Sequence, residues 1–492
     1  MTAQLPALQI LLPMLASALC VLLRSPAGAW LCFTLATWAS FAVSVLLVLA
    51  TRSGAILSYE MGGWEPPFGI ELRIDALNAF VLLIVSGMAA VMAPFARSSV
   101  LAEIEQTRVY LFYALVLLCL TGLLGISITG DAFNLFVFLE ISSLSSYAII
   151  AMGPNRRALL AAFQYLIMGT VGGTFILIGI GLMYMLTGTL NMADLAERLP
   201  AMADSRTEKA ALGFIVVGAS IKLALFPLHA WLPNAYAYAP SLVSALLAAT
   251  ATKVAAYVLI RFIYTVFLPE RAFDGLMLSE LMMALAAIAM IAGSVVAIFQ
   301  HNVKLLLAWS SIAQIGYIVL GAALVTTAGL AATTLHLLNH AVAKGCLFLA
   351  LGVIVWKTGG ARLSDLAGLG RTLPWVGAAF VIGALSLIGV PFTGGFITKW
   401  YLLVAVAEQE LWLLAGAVVL SSLLSIIYMG RVIETLYFRA PSQGTTRSEP
   451  VPVLMLTSVW LLALLNVAIG SYSEPFAAIA RTAAGQLLGG TP

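Results

Sequence analysis

The chain has 492 residues, 62% hydrophobic and 9% charged, with a formal net charge of +3 from 24 basic and 21 acidic side chains. Soluble domains run at roughly 45–50% apolar and about 25% charged, so a mean hydropathy of +1.05 excludes a water-soluble globule. A soluble enzyme, a nucleic-acid binder and a disordered scaffold fall with it, and a polytopic membrane protein is left.

Apolar runs of about 20 residues are needed to cross roughly 30 Å of hydrocarbon. In chain order they occur near 7–23, 29–50, 76–95, 109–128, 131–152, 160–187, 210–229, 240–262, 276–299, 303–323, 327–356, 375–402, 411–436 and 452–471, fourteen in all. Backbone groups in lipid must be satisfied internally, so the runs are expected to be helices. No alternating strand pattern of an outer-membrane barrel is present. The expected fold class is therefore an all-α polytopic membrane protein with about 14 transmembrane helices. The first run does not read as a cleaved signal peptide, because its first basic residue, Arg24, follows it. The longest connections, 51–75, 188–209 and 439–451, are too short for a folded domain, so function is expected within the membrane.

Cys20, Cys32, Cys119 and Cys346 lie far apart in apolar runs, with no Cys/His ligand spacing. No iron–sulfur, haem or zinc site is expected, and no cofactor. Basic residues in the connections set orientation. Connections after odd-numbered spans hold twelve (Arg24, Arg97, Arg108, Arg156, Arg157, Lys304, Lys357, Arg362, Arg371, Arg431, Arg439, Arg447), and those after even-numbered spans, with the tail, hold eight (Arg52, Arg73, Arg198, Arg206, Lys209, Arg261, Arg271, Arg481). Both termini are thus expected outside the cytoplasm.

Four basic residues remain, all lysines inside spans: Lys222, Lys253, Lys344 and Lys399. Glu140 is the one acidic residue deep inside a span. A charge at mid-bilayer costs about 2.5–3.5 kcal/mol on insertion scales. The structural reading is that each residue is paired or snorkels to an interface. The functional reading is a proton relay: an amine stripped of water gives up its proton more readily, and a nearby carboxylate reverses that. Arginine never deprotonates in proteins, so lysine without arginine suits relay better than ion-pair architecture. In TTLHLLNHAVAKGCLF, His336, His340 and Lys344 are spaced i, i+4, i+8, an arc of about 80° on one helical face. Two hydrogen-bonded core histidines are the plain alternative, and a zinc site would need a third ligand not found. His229, beside Trp231, is either an access group or an interfacial residue.

Two spans carry breaks: Pro227 in ASIKLALFPLHAWLP and Pro391 in LSLIGVPFTGGFITKWYLL, the latter with Gly394 and Gly395. Proline removes a backbone donor and clashes with the preceding turn. Such breaks persist in membranes where backbone lines a cavity or is covered by protein. Each broken span carries a buried lysine, Lys222 before its proline and Lys399 after. Interrupted helices at matching positions in two halves point to a transporter's ion site. Helices 4–8 and 9–13 are then two five-helix repeats, expected to be inverted, with helices 7 and 12 broken. The corresponding domains are 1–108 (helices 1–3), 109–268 (first repeat), 269–440 (second repeat) and 441–492 (helix 14 and tail).

The segments FNLFVFLEISSLSSY, IKLALFPLHAWLPNAYAYAPSLVSALLAATATKVAAYVLIR, HNVKLLLAWSSIAQIGYI, HLLNHAVAKGCLF and GVPFTGGFITKWYLL resemble the proton-translocating antiporter-like subunits of respiratory complex I, membrane-bound hydrogenases and Mrp-type multisubunit cation/proton antiporters. Matching blocks run from about residue 110 to 440. The length and the GDAFNLFVFLE wording look most like the D subunit of the Mrp antiporters. The resemblance implies a modulating ion pair between Glu140 and Lys222 and a connecting lysine at Lys253. It also implies a relay in the His336/His340 region and a terminal lysine at Lys399. Lys304 falls in the family's helix-10 inlet motif, but His301 and Asn302 stand where a preceding acidic residue is common.

The function expected is a proton-translocating subunit of a multisubunit monovalent cation (sodium)/proton antiporter, working with other membrane subunits in a bacterial or archaeal cytoplasmic membrane. Its substrates are protons and sodium, and it has no redox cofactor of its own. The alternative is a proton-pumping subunit of a complex I-type NADH:quinone oxidoreductase or membrane-bound hydrogenase. A silent scaffold is the third reading, and the four buried lysines count against it.

Overall fold

A computed structural model describes residues 4–202, 205–274, 277–440 and 447–489. The expected start of the ninth span at 276 and the boundary at 441 lie outside them. The helices, in chain order, are α1 Leu5–Leu23, α2 Pro26–Thr51, α3 Ala76–Glu103, α4 Val109–Ile128, α5 Ala132–Ala151, α6 Arg157–Thr187, α7 Met192–Arg198, α8 Arg206–Leu223, α9 Leu232–Tyr238, α10 Ser241–Ala249 and α11 Ala251–Arg261. There follow α12 Pro269–Asp274, α13 Leu278–Ile298, α14 Val303–Ala323, α15 Thr327–Thr358, α16 Leu363–Leu366, α17 Leu369–Thr372, α18 Pro374–Ile388, α19 Gly394–Glu408, α20 Trp412–Phe438, α21 Val453–Ser471 and α22 Glu474–Leu487. A small antiparallel hairpin, β1 Leu57–Glu60 on β2 Glu71–Ile74, links α2 to α3 with Leu57 opposite Ile74.

Among the described residues, twelve helices are long and apolar enough to cross a membrane, or thirteen if Leu363–Thr372 and Pro374–Ile388, bent by 116°, are one span. One of the twelve, Ser241–Val266, runs through α10 and α11 across a break at Thr250. Two of the fourteen expected runs give no membrane-long helix at all, for physical reasons. Run 210–229 falls on α8, whose 18 residues carry Arg206, Glu208, Lys209 and Lys222. Run 375–402 is divided between α18 and α19, 15 residues each. These are the two expected broken spans. α15 carries the largest burial, nearly all of its face packed by α10, α14, α18, α19, α21 and α22. The tail forms α22, whose alanine face seats against α3 and α15.

The two halves repeat one turn at a fixed offset of 171 residues (302 − 131). Asp131 caps α5 and bridges Asn191 after α6, with Ala132 N–H bonded to Leu190 O and Met192 N–H to Gly130 O, both 2.8 Å. Asn302 caps α14 and bridges Arg362 after α15, with Val303 N–H bonded to Ala361 O (2.7 Å) and Leu363 N–H to His301 O (2.9 Å). The segments are TGTLNMADL and TGGARLSDL, each opening on a left-handed glycine, Gly188 and Gly359. The two turns lie at opposite ends of the molecule. A cavity of about 260 Å³ beside the first is lined by Asp75 at the start of α3, and one of about 630 Å³ beside the second by Glu103 at its end. α3, 28 residues long, runs between them, about 42 Å at 1.5 Å per residue. The repeats are therefore inverted.

Candidate functional site

In the first half, α5 delivers Glu140 and α8 delivers Lys222. Lys222 Nζ lies 3.7 Å from Glu140 Oε1 and donates to Ser143 Oγ at 2.8 Å. The lysine side chain is 7% exposed and the carboxylate 26%, so the pair is sealed on the amine side and open on the other. The carboxylate rests against α6 at Gly173, where a Cβ would collide with it. α8 stops one residue after Lys222 because Ala224 turns left-handed at φ 61°. The carbonyls this frees are taken up locally: Trp231 Nε1–H donates to Ile221 O at 2.8 Å and Leu225 N–H to Ser220 O at 3.0 Å. Tyr165 stacks on that indole at 3.9 Å, with Tyr147 edge-on to Tyr165. Lys222, Ser142, Ser143, Ser146 and Tyr165 line a small cavity of about 30 Å³ that reaches α11 at Ala251 and Val254, enough for a water given polar partners.

Lys253 is fully buried, its amine donating to Ala248 O and, at 3.5 Å, to Thr252 Oγ1. The carbonyl is available because the eighth span is interrupted at Thr250, whose hydroxyl bonds back to Leu246 O and whose φ/ψ is −124°/−57°. Lys253 lies within electrostatic reach of His336, His340 and Lys344. On α15 the rings of His336 and His340 stack at 6.0 Å. His336 Nδ1 pairs with Thr398 Oγ1 at 3.0 Å, whereas neither ring nitrogen of His340 has a protein partner among the described residues. Lys344 donates to Leu307 O at 2.7 Å and to Ser310 Oγ.

In the second half, α18 ends at Gly389, with φ 91°. The orphan carbonyls of its last turn are capped by Lys399, whose amine donates to Leu387 O (3.0 Å) and Ile388 O (2.8 Å) and sits 5.0 Å over the Tyr317 ring. Tyr317 also leans on His336 at 5.6 Å.

The candidate residues lie at helix contacts in the interior: Glu140 is paired with Lys222, Lys253 is within reach of His336, His340 and Lys344, and His336 and Lys399 share the Tyr317 ring. Ser143, Thr398, Tyr317 and Ser310 were not anticipated; all are small polar or phenolic side chains within hydrogen-bond or ring contact of a buried amine or imidazole. Lys304, assigned to a connection from the sequence, is a fifth buried lysine. It stands in the first turn of α14, donates to Ala239 O at 2.9 Å and lines the 630 Å³ cavity with Glu103. Its polar neighbours there include His301 and Asn302 rather than an acidic residue of its own turn. His229 is buried between the Phe226 ring, stacked at 5.0 Å, and Trp309, edge-on at 5.1 Å. Arg261 is buried as well, paired with Asp75.

The sequence of the chain matches a known family. The family model described as NADH:quinone oxidoreductase/Mrp antiporter, transmembrane part, covers residues 129–425. The chain belongs to this family. It is 43% identical to the N subunit of the NADH-quinone oxidoreductase of Desulforudis audaxviator, over 96% of this chain and 97% of that one. It is 30% identical to the D subunit of the Na(+)/H(+) antiporter of Alkalihalophilus pseudofirmus, over 91% and 89%. A chain in the structure of the Mrp complex from Dietzia superposes with a TM-score of 0.91 at 25% identity, covering 99% of this chain and 97% of that one. As a member of the family, the protein is a multi-pass integral membrane protein.

Proposed function

We propose that this chain is a proton-translocating membrane subunit of a multisubunit monovalent cation/proton antiporter, acting beside other membrane subunits in a prokaryotic cytoplasmic membrane. Residues 109–268 and 269–440 form its two antiporter-like repeats. Glu140 and Lys222 act as the charge switch, Lys253 as the connector, His336, His340 and Lys344 as the relay, and Lys399 as the terminal group. The observation that carries the reading is Lys222 held 3.7 Å from a single half-open carboxylate. Moving Glu140 away withdraws the charge that keeps the amine protonated, and returning it restores that charge. The likeness to the D subunit of a Na(+)/H(+) antiporter supports the antiporter.

A second reading, a proton-pumping subunit of a redox complex, is favoured by the 43% identity to the N subunit of an NADH-quinone oxidoreductase. Both use the same buried groups. The test is cation-driven proton movement in everted vesicles carrying the complete complex, wild type against Glu140→Gln. The antiporter reading expects sodium-driven movement in wild type and its loss in Glu140→Gln, with assembly retained. Proton movement that responds to an electron donor and not to sodium would move the chain to the redox reading, and full sodium-driven activity in Glu140→Gln would end the switch.

A further inference from the structure

The partners of His336 fix more than its position. Its Nδ1 lies 3.0 Å from Thr398 Oγ1, and that hydroxyl donates to Gly395 O, three residues back on α19, at 3.2 Å. Threonine in a helix often bonds back in this way. Both side chains are buried. His336 Nε2 is buried as well, with no hydrogen-bond partner among the described residues.

A neutral imidazole carries one N–H and one bare nitrogen, and the partner of one nitrogen sets which is which. With the hydrogen on Nδ1, the ring donates to Thr398 Oγ1 and the hydroxyl keeps its bond to Gly395 O. Only a lone pair, at Nε2, is then unmatched. With the hydrogen on Nε2, the hydroxyl has to turn from Gly395 O to the bare Nδ1, and a buried N–H is left without an acceptor. The first arrangement makes two bonds and the second makes one.

The threonine is itself held still. Asn339, one turn along α15 from His336, donates from Nδ2 to Gly394 O at 2.7 Å, and Gly395 N–H donates to Ser386 Oγ of α18 at 3.2 Å. A Cβ on Gly394 would stand 2.5 Å from Asn339 Oδ1, and one on Gly395 would collide with Ser386 O. The first turn of α19 is therefore pressed against two helices. His340, stacked on His336 at 6.0 Å, has no such fixture, because neither of its nitrogens has a partner among the described residues.

We propose that Thr398 is a positioning residue that locks His336 as the Nδ1–H tautomer, so that Nε2 is the ring atom that takes up and gives back the transported proton. This rests on the reading that His336 carries protons. Protonation at Nε2 gives an imidazolium that still donates from Nδ1 to Thr398, and loss of that proton from Nε2 restores the starting ring. One proton and one positive charge enter and leave, and no bond on the Nδ1 side is broken. Thr398 is a lock and not a conductor: the chain beyond it ends on Gly395 O, an amide carbonyl that accepts a hydrogen bond and has no proton to pass on.

The test uses the complete complex in lipid, carrying isotope-labelled histidine. Nitrogen NMR shifts separate a protonated ring nitrogen from a bare one, and the bonded carbons tell Nδ1 from Nε2. The signals that vanish in His336→Gln are those of His336. In the neutral ring, wild type is expected to show the hydrogen on Nδ1 and a bare Nε2. Thr398→Val removes the hydroxyl, so a share of the rings is expected to move the hydrogen to Nε2. Cation-driven proton movement is expected to fall about tenfold, the low end for a positioned proton-transfer group, and Thr398→Ser to restore both. Loss of packing alone would leave the tautomer unmoved. The wild-type spectrum decides even if Thr398→Val does not assemble: hydrogen on Nε2 and a bare Nδ1 overturns the lock. A Thr398→Val complex that keeps either the wild-type spectrum or the wild-type rate also overturns it. His336→Gln separates the failures. If it transports at the wild-type rate, the relay reading fails; if it is slow while Thr398→Val is normal, only the lock does.

Discussion

The two broken helices solve one problem in two ways. Where α8 ends, an indole supplies the missing donor to Ile221 O, and Lys222 is left to Glu140 and Ser143. Where α18 ends, the lysine itself is the donor, capping Leu387 and Ile388 with the Tyr317 ring below. One amine is therefore held beside a side-chain carboxylate, and the other by dipoles that are part of the backbone. An ionised partner bonds about twice as strongly as a neutral one and, unlike a carbonyl, can be taken away. Under the proposed function, the first half is the one to be switched and the second the one to receive.

That contrast is broken most severely by Lys222→Ala. Trp231 still caps α8, so the complex should assemble, while cation-driven proton movement in vesicles should drop by at least about a hundredfold, some 2.7 kcal/mol of barrier. Assembly without activity supports the division of labour; activity near wild type would abolish it. His336→Gln tests the link between halves. Glutamine keeps a partner for Thr398 but does not titrate, so transport should slow by about tenfold, the low end for a proton-transfer group. If His336, His340 and Lys344 are all changed to glutamine without loss, the stripe on α15 is packing and nothing more. The smallest effect is expected from Gly173→Ala. The added Cβ meets the Glu140 carboxylate and should push it off Lys222, lowering the rate a few-fold, about 1 kcal/mol, with the helices intact; an unchanged rate would mean that the carboxylate position is not limiting.

The spans, the two proline breaks and the α15 stripe were legible because apolar length and helical spacing are properties of single segments. What escaped depended on contacts far apart in sequence, or on breakers other than proline and glycine. The interruption at Thr250 is made by a threonine hydroxyl bonded back to Leu246 O. Arg261 was counted in a connection, and it is buried because Asp75, 186 residues away, caps α3 beside it. Lys304 was counted likewise, but the Asn302 cap pulls it into α14 beneath Ala239. The repeat is legible from the two broken, lysine-bearing spans five helices apart, and TGTLNMADL and TGGARLSDL print it again at a fixed offset of 171 (358 − 187). At the second break the freed carbonyls of Leu387 and Ile388 are bonded directly by Lys399, eleven and more residues further along the chain.

The central claim is that the buried amines work by losing and regaining a proton, and Lys399→Arg tests it most directly. A guanidinium can donate to Leu387 O and Ile388 O and lie over the Tyr317 ring, so charge and caps are kept, but it does not give up its proton at physiological pH. The measurement is sodium-driven proton movement in everted vesicles, with complex assembly checked on the same membranes. The account predicts an assembled complex that does not transport. Wild-type rates from Lys399→Arg would contradict it, because position 399 would then need only a positive charge.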